Sequence, residues 1–194
     1  VSALAELLNG PVEEVAPRLL GAVVRHGPVA VRLTEVEAYD GANDPASHAF
    51  RGPTDRNRVM FGPAGHLYCY LSHGIHVCGN VSVGPEGSAS GVLMRAGELV
   101  DGIDVVRALR PGVADRDLAR GPGRLGRALG LRLDLNGTDL ATGQVTVTPG
   151  ESPARISSGP RTGVRNAAER AWRFWTTGDP TVSPYRRHAH ASGL

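Results

Sequence analysis

Two strand–turn–strand patterns, set on either side of a long irregular stretch, decide most of what this chain can become. The first spans residues 22–25 and 29–35 around His26-Gly27-Pro28, and the second spans 67–71 and 75–83 with Ser72-His73-Gly74 at its tip. Alternating apolar and polar residues on both sides of a glycine-containing turn mark β-hairpins, so an antiparallel framework is expected. Between them, residues 40–63 carry several Gly, Pro, Asn and Asp breakers and no sustained period. An ordered loop of that length inside a compact domain is usually functional.

The rest of the chain supplies short elements around that framework. Helices are expected over 3–8 and 12–20, the second with Pro11 near its start and Val12, Val15, Leu19 and Leu20 on its apolar side. A further strand is expected over 91–95, and amphipathic helices over 101–109 and, behind Pro122, over 123–129. Turns and one strand should fill 131–148, and the Ala- and Arg-rich run 164–174 reads as a last helix. There is no internal repeat and no linker, and 194 residues suit one mixed α/β domain over 1–194. No apolar run approaches the roughly 20 residues that span a bilayer, and no targeting leader is expected. Two cysteines make no disulfide framework. A cytoplasmic protein without a membrane partner is expected.

Charge narrows the chemistry further. Residues 1–106 carry 7 Arg against 12 acids, whereas 107–194 carry 14 Arg against 7. A positive second half suits a polyanion such as nucleic acid, although arginines on solvated faces would give the same count. The chain contains no lysine at all. Schiff-base chemistry normally uses a lysine amine, so lyase and aldolase mechanisms of that kind are nearly excluded.

The chemically richest window is 35–80. Glu35, Glu37 and Tyr39 share one face if the strand through Glu35-Val36-Glu37-Ala38-Tyr39 persists, because alternate side chains of a strand point the same way. Glu37 is then placed to act as a general base on water; equally, the pair would face solvent on an edge strand. Tyr39, Tyr68 and Tyr70 fit either core aromatics or a platform for a flat base. His66, Cys69, His73, His76 and Cys78 have the residue types of a zinc site. Their spacing sends neighbours to opposite faces of a strand, so no metal is expected, and the cysteines read as small buried residues.

In order and spacing, several short motifs in this sequence resemble the alkyladenine (3-methyladenine) DNA glycosylase family. They are Glu35-Val36-Glu37-Ala38-Tyr39, His48, Arg56-Asn57-Arg58 with Met60-Phe61, and Gly65-x-Leu67-Tyr68-x-Tyr70. Asn80, Val92-Leu93-Met94-Arg95-Ala96, Gly121-Pro122-x-x-Leu125, Pro160-Arg161-x-Gly163-Val164 and Arg173-Phe174 continue the match, which covers roughly residues 16–183. The resemblance implies an enzyme that extrudes alkylated or deaminated purines (3-methyladenine, 7-methylguanine, hypoxanthine) from double-stranded DNA. It would hydrolyse the N-glycosidic bond without metal or cofactor and leave an abasic site. It assigns Glu37 as the base that activates water, with Arg95 and the backbone carbonyl of Thr162 helping to hold that water. Tyr39, His48 and Tyr70 would sandwich the base, and Asn80 would gate its exocyclic groups. The expected architecture is α+β, a single mixed domain with a curved, mostly antiparallel β-sheet, flanking helices and a protruding β-hairpin.

Two departures stand out. The residue that such enzymes wedge into the minor groove is commonly tyrosine, and here the matching position at the hairpin tip is His73. The spacing from Asn80 to Arg95 is two residues longer than the pattern, which puts the DNA contact of loop 84–91 in question. A single-site enzyme on DNA is expected to act as a monomer, associated with the nucleoid. The competing readings are a non-catalytic nucleic-acid-binding module of related β-rich fold and a metal-dependent hydrolase using His66, His73 and His76.

Overall fold

The structure, a computed structural model, describes residues 2–191. Two short helices, α1 (Ala3–Leu7) and α2 (Val12–Arg18), open the chain. Ser2 caps α1, its hydroxyl accepting the backbone N–H of Ala5, and Gly21 (φ +87°) turns the chain into the sheet. Strands β1 (Val23–His26) and β2 (Val29–Asp40) form the first expected hairpin. The second is β3 (Leu67–Ser72) and β4 (His76–Val83), followed by β5 (Ser90–Asp101). Helices α3 (Ile103–Leu109) and α4 (Pro122–Ala128) come next, then β6 (Val145–Thr148), β7 (Ile156–Gly159) and β8 (Arg173–Thr176).

All eight strands join one curled, antiparallel sheet in the order β3-β4-β5-β2-β1-β6, with β8 on the second half of β2 and β7 beyond it. The fold is thus the expected α+β arrangement, with the tip of the β3–β4 hairpin exposed. Two lengths differ from expectation. β5 runs on past Arg95 to Asp101 because Gly97 lets it approach β2: a Cβ there would lie 2.3 Å from Val31 Cγ1 and 2.4 Å from the Arg32 carbonyl. β2 is a central strand, buried at nearly every position, because α2 covers one face and the C-terminal segment covers the other. Glu35 and Glu37 therefore do not face solvent.

The run 164–174 is not a helix. It is a series of turns that ends in β8. Helix propensity in an Ala/Arg-rich stretch is a weak preference, and here it is outweighed by tertiary bonds. The Ala38 N–H donates to Trp172 O at 2.8 Å, Arg161 to Ala167 O at 3.3 Å, and Arg170 to Asn43 O at 3.1 Å.

The main core lies between α2, α4 and the concave sheet, around Val15, Leu19, Leu33, Val36, Met94 and Leu125. A smaller cluster, Ala49, Met60, Tyr68 and Ala89, fastens loop 40–63 to the sheet. Loop 84–89 packs onto the same loop, with the Gly87 N–H donating to Phe61 O at 2.8 Å. α4 sits directly on the β4 backbone, where a Cβ at Gly126 would lie 2.0 Å from the Val77 carbonyl oxygen. Gly126→Ala should therefore push the helix off the sheet, at a cost of about 1–3 kcal/mol. Thermal unfolding of that variant should show a clearly lower Tm.

Candidate active site

The centre of the site is built on β2 and β5. Glu37 is fully buried, and its carboxylate accepts three hydrogen bonds. Oε1 takes the backbone N–H of Thr162 at 2.6 Å, while Oε2 takes the Tyr39 hydroxyl at 2.9 Å and Arg95 Nη1 at 3.2 Å. Burial and the Glu37 charge push the Tyr39 phenol well above its ordinary range, so Tyr39 stays a hydrogen-bond donor. Burial works against the Arg95 charge, but Glu37 and Glu35 outweigh it and hold the guanidinium above its usual range.

Glu35 explains how Arg95 is held. Its Oε1 accepts Arg95 Nε at 2.9 Å, Arg173 Nε at 2.6 Å and the Ser183 hydroxyl at 2.9 Å, and its Oε2 accepts the Ser183 N–H at 2.7 Å. Arg173 Nη2 then donates to Ser183 O at 2.7 Å. One buried carboxylate thereby ties β2, β5, β8 and the C-terminal segment together. Among these, Ser183 had no sequence signal: a lone serine near the chain end carries no pattern.

Thr162, Tyr39 and Arg95 form part of the wall of a cavity of about 810 Å³, within the range of ligand pockets. His48, Tyr70 and Asn80 line it as well, and His73 stands at its rim on the hairpin tip. Tyr39, His48, Tyr70, His73, Asn80, Arg95 and Thr162 thus surround one opening, with Glu37 one layer below its surface. Tyr68 and Tyr70 stack at 5.9 Å between ring centroids and 26° between planes. His48 meets Tyr70 at 4.7 Å and 86°, an edge-on contact. The Asn80 amide donates to Tyr68 O at 3.1 Å, which leaves its Oδ1 as the free end.

Loop 40–63 places His48 through two buried anchors. The Asn57 amide donates to His48 O at 3.0 Å and Gly52 O at 3.1 Å. Asp44 forms a fully buried ion pair with Arg161, whose guanidinium also lies 4.7 Å from the Tyr39 ring centroid. His66 lies at the far end of the hairpin from His73, with its Nδ1 3.1 Å from Pro63 O. Among the described residues, no three His, Cys, Asp or Glu side chains converge as metal ligands.

Burial opposes ionisation of Glu35, but Arg95, Arg173 and Ser183 prevail and hold its pKa below the ordinary 4.5. A depressed carboxylate pKa contributes stability that is complete above the unfolded-state value and is lost as pH falls through the folded-state value. Stability should therefore decline below about pH 4.5. Glu35→Gln should flatten that acid limb and, by leaving buried Arg173 without its carboxylate, destabilise the protein at neutral pH by about 3–5 kcal/mol. Denaturant titrations of both proteins across this pH range check the two effects.

With this geometry in place, comparison with known proteins is direct. Residues 6–180 match the model of the methylpurine-DNA glycosylase family. A relative from Frankia casuarinae is 56% identical over 92% of this chain and 90% of its own length. One from Nocardia farcinica is 53% identical over 100% of this chain and 95% of its own. A third, from Streptomyces avermitilis, is 48% identical over 94% and 91%. All three are provisionally named as 3-methyladenine DNA glycosylases. A family model matched over most of the chain and relatives at about half identity along nearly their whole length lead to one conclusion: this chain belongs to the methylpurine-DNA glycosylase family.

Proposed function

We propose that this DNA glycosylase removes alkylated or deaminated purines from double-stranded DNA by water attack on the N-glycosidic bond, acting without strand cleavage. The observation that carries this reading is Glu37: a buried carboxylate, held by three donors, directly beneath an aromatic cavity. A base inside a duplex hides its glycosidic carbon, so the nucleotide must be extruded at a cost of a few kcal/mol, least for a damaged or mispaired base. The cavity receives that base, with Tyr39, His48 and Tyr70 in its wall.

Chemistry then needs a water aimed at an oxocarbenium-like sugar. A carboxylate offers about four acceptor positions; three on Glu37 are filled, and the fourth serves the water. Glu37 orients and deprotonates that water, and its charge stabilises the cation developing on the sugar. Arg95 shares the water in this reading, and Thr162, whose N–H already fixes Glu37, supplies the carbonyl beside it. Asn80, in the cavity wall, would exclude a purine with an unsuitable exocyclic group. His73, at the hairpin tip with φ 50°, fills the gap left in the stack, aided by the neighbouring Ile75, which is 72% exposed.

The arginines beyond residue 107 would hold phosphates, so binding should weaken steeply with salt. With no lysine in the sequence, the product should be an abasic strand left intact.

Incubation with duplex carrying hypoxanthine or 7-methylguanine, followed by alkali, tests the reading in one gel. Glu37→Gln should lower single-turnover excision by at least about 100-fold while lesion binding stays within a few-fold; near wild-type excision would remove Glu37 as the base. His73→Ala should lower affinity and rate together, read by binding titration and single-turnover kinetics. Borohydride should trap no covalent protein–DNA adduct, and trapping one would refute hydrolysis by water alone.

A further inference from the structure

We propose that Arg161 is a positioning residue for excision: held by Asp44, it aims two of the three donors on Glu37, the Tyr39 hydroxyl and the Thr162 N–H, so that the seating of loop 40–63 sets the aim of the base. This role rests on the reading of Glu37 as the base and deepens it with a residue outside the cavity. Arg161 is buried behind the wall and lines no part of the opening. The third donor, Arg95, is fixed from elsewhere, by Glu35. Glu35 spends its other bonds on Arg173 and Ser183, so it holds neither Tyr39 nor Thr162.

Arg161 is placed to hold both. Its guanidinium lies 4.7 Å from the centroid of the Tyr39 ring, whose hydroxyl donates to Glu37 Oε2 at 2.9 Å. Its Nη1 also donates at 2.9 Å to Ala38 O, between Glu37 and Tyr39 in β2. The next residue along its own backbone is Thr162, whose N–H meets Glu37 Oε1 at 2.6 Å. On the other side of Thr162 the Gly163 N–H donates to Arg186 O at 2.8 Å, so that backbone is held at both ends. The rest of the guanidinium belongs to loop 40–63. Nη1 and Nη2 grip the two Asp44 oxygens, and Asp44 accepts the Ala46 N–H at 3.1 Å, two residues before His48. A shift of that loop is therefore passed to both donors on Glu37.

Stability alone does not account for the pair. Asp44 and Arg161 are both withdrawn from solvent, yet Arg161 Nε has no hydrogen-bond partner among the described residues. A buried ion pair with an unmet donor gains little stability over well-packed apolar side chains. What apolar groups would not supply is the planar fork, which fixes distance and direction together.

The test compares wild type, Arg161→Lys and the double variant Asp44→Asn/Arg161→Met on hypoxanthine-containing duplex. Leu8→Ala, a core truncation at the end of α1 that lines no part of the cavity, serves as a destabilised control. The double variant removes both charges together, so neither is left buried and unpaired, and the asparagine keeps an acceptor for the Ala46 N–H. It should fold, bind the lesion duplex within a few-fold of wild type, and excise about 100-fold more slowly in single turnover. Its Thr162 amide proton should move upfield in the NMR spectrum as the bond to Glu37 lengthens. Arg161→Lys, which keeps a charge but loses the fork, should fall between. Leu8→Ala, read at a temperature where it is folded, should excise at the wild-type rate. Wild-type excision by the double variant with an unmoved Thr162 resonance overturns the proposal. So does a loss of binding equal to the loss of rate, or an equal slowing in Leu8→Ala. Should the double variant fail to fold, Arg161→Lys decides on the same readouts. Excision of neither hypoxanthine nor 7-methylguanine by the wild type would instead sink the glycosylase reading, with the Thr162 resonance still reporting whether Arg161 sets that bond.

Discussion

A single buried carboxylate, Glu35, carries most of the organisation of this molecule. Taking an acid and two arginines out of water is costly unless every donor and lone pair is used, and Glu35 meets that condition through Arg95, Arg173 and both donors of Ser183. The strands β2, β5 and β8 and the C-terminal segment are thereby fixed relative to one another at the point where Glu37 sits two residues away. Arg95 spans the two acids, with Nε on Glu35 and Nη1 on Glu37. The geometry around Glu37 is therefore inherited in part from a carboxylate two residues away.

A second constraint acts on the opposite wall. Loop 40–63 has little regular structure beyond two single turns of 3₁₀ helix, Gly41–Asn43 and Arg58–Phe61, yet it must present His48 at a fixed height. It does so with buried polar anchors added to the small apolar cluster around Ala49 and Met60. Asp44 is held by Arg161, and Asn57 satisfies backbone groups at Gly52, Thr54 and His48. Arg161 also rests against the Tyr39 ring, so the two walls of the cavity share one guanidinium. Rigid anchors under a polar loop are what a site needs if its donors are to be aimed before the ligand arrives.

The hairpin between β3 and β4 contributes in another way. Its strands are bound into the sheet and carry Tyr70 and Asn80, while its turn leaves His73 and Ile75 in solvent. Exposed apolar surface at a turn does not help a domain fold. Here it lies beside the cavity mouth.

Much of this was legible from local pattern. The two hairpins, the helix behind Pro122 and the irregular loop follow from period and turn residues, because these depend on contacts between near neighbours. Glu37, Tyr39, His48, Tyr70, Asn80 and Arg95 were singled out because their order matched a known family; composition alone left Glu37 equally at home in solvent. Residues 164–174 were misread as a helix because their propensity is local while the bonds that hold them, from Ala38, Arg161 and Arg170, come from elsewhere in the chain. The same reason hid Ser183, 148 residues from Glu35. The sequence by itself determined which short segments form strands and which residue types are present to do chemistry. Only the tertiary structure decided that two acids would be buried rather than solvated, and which arginine would face which acid. Those outcomes turn on desolvation and charge pairing between distant segments, which no local pattern encodes.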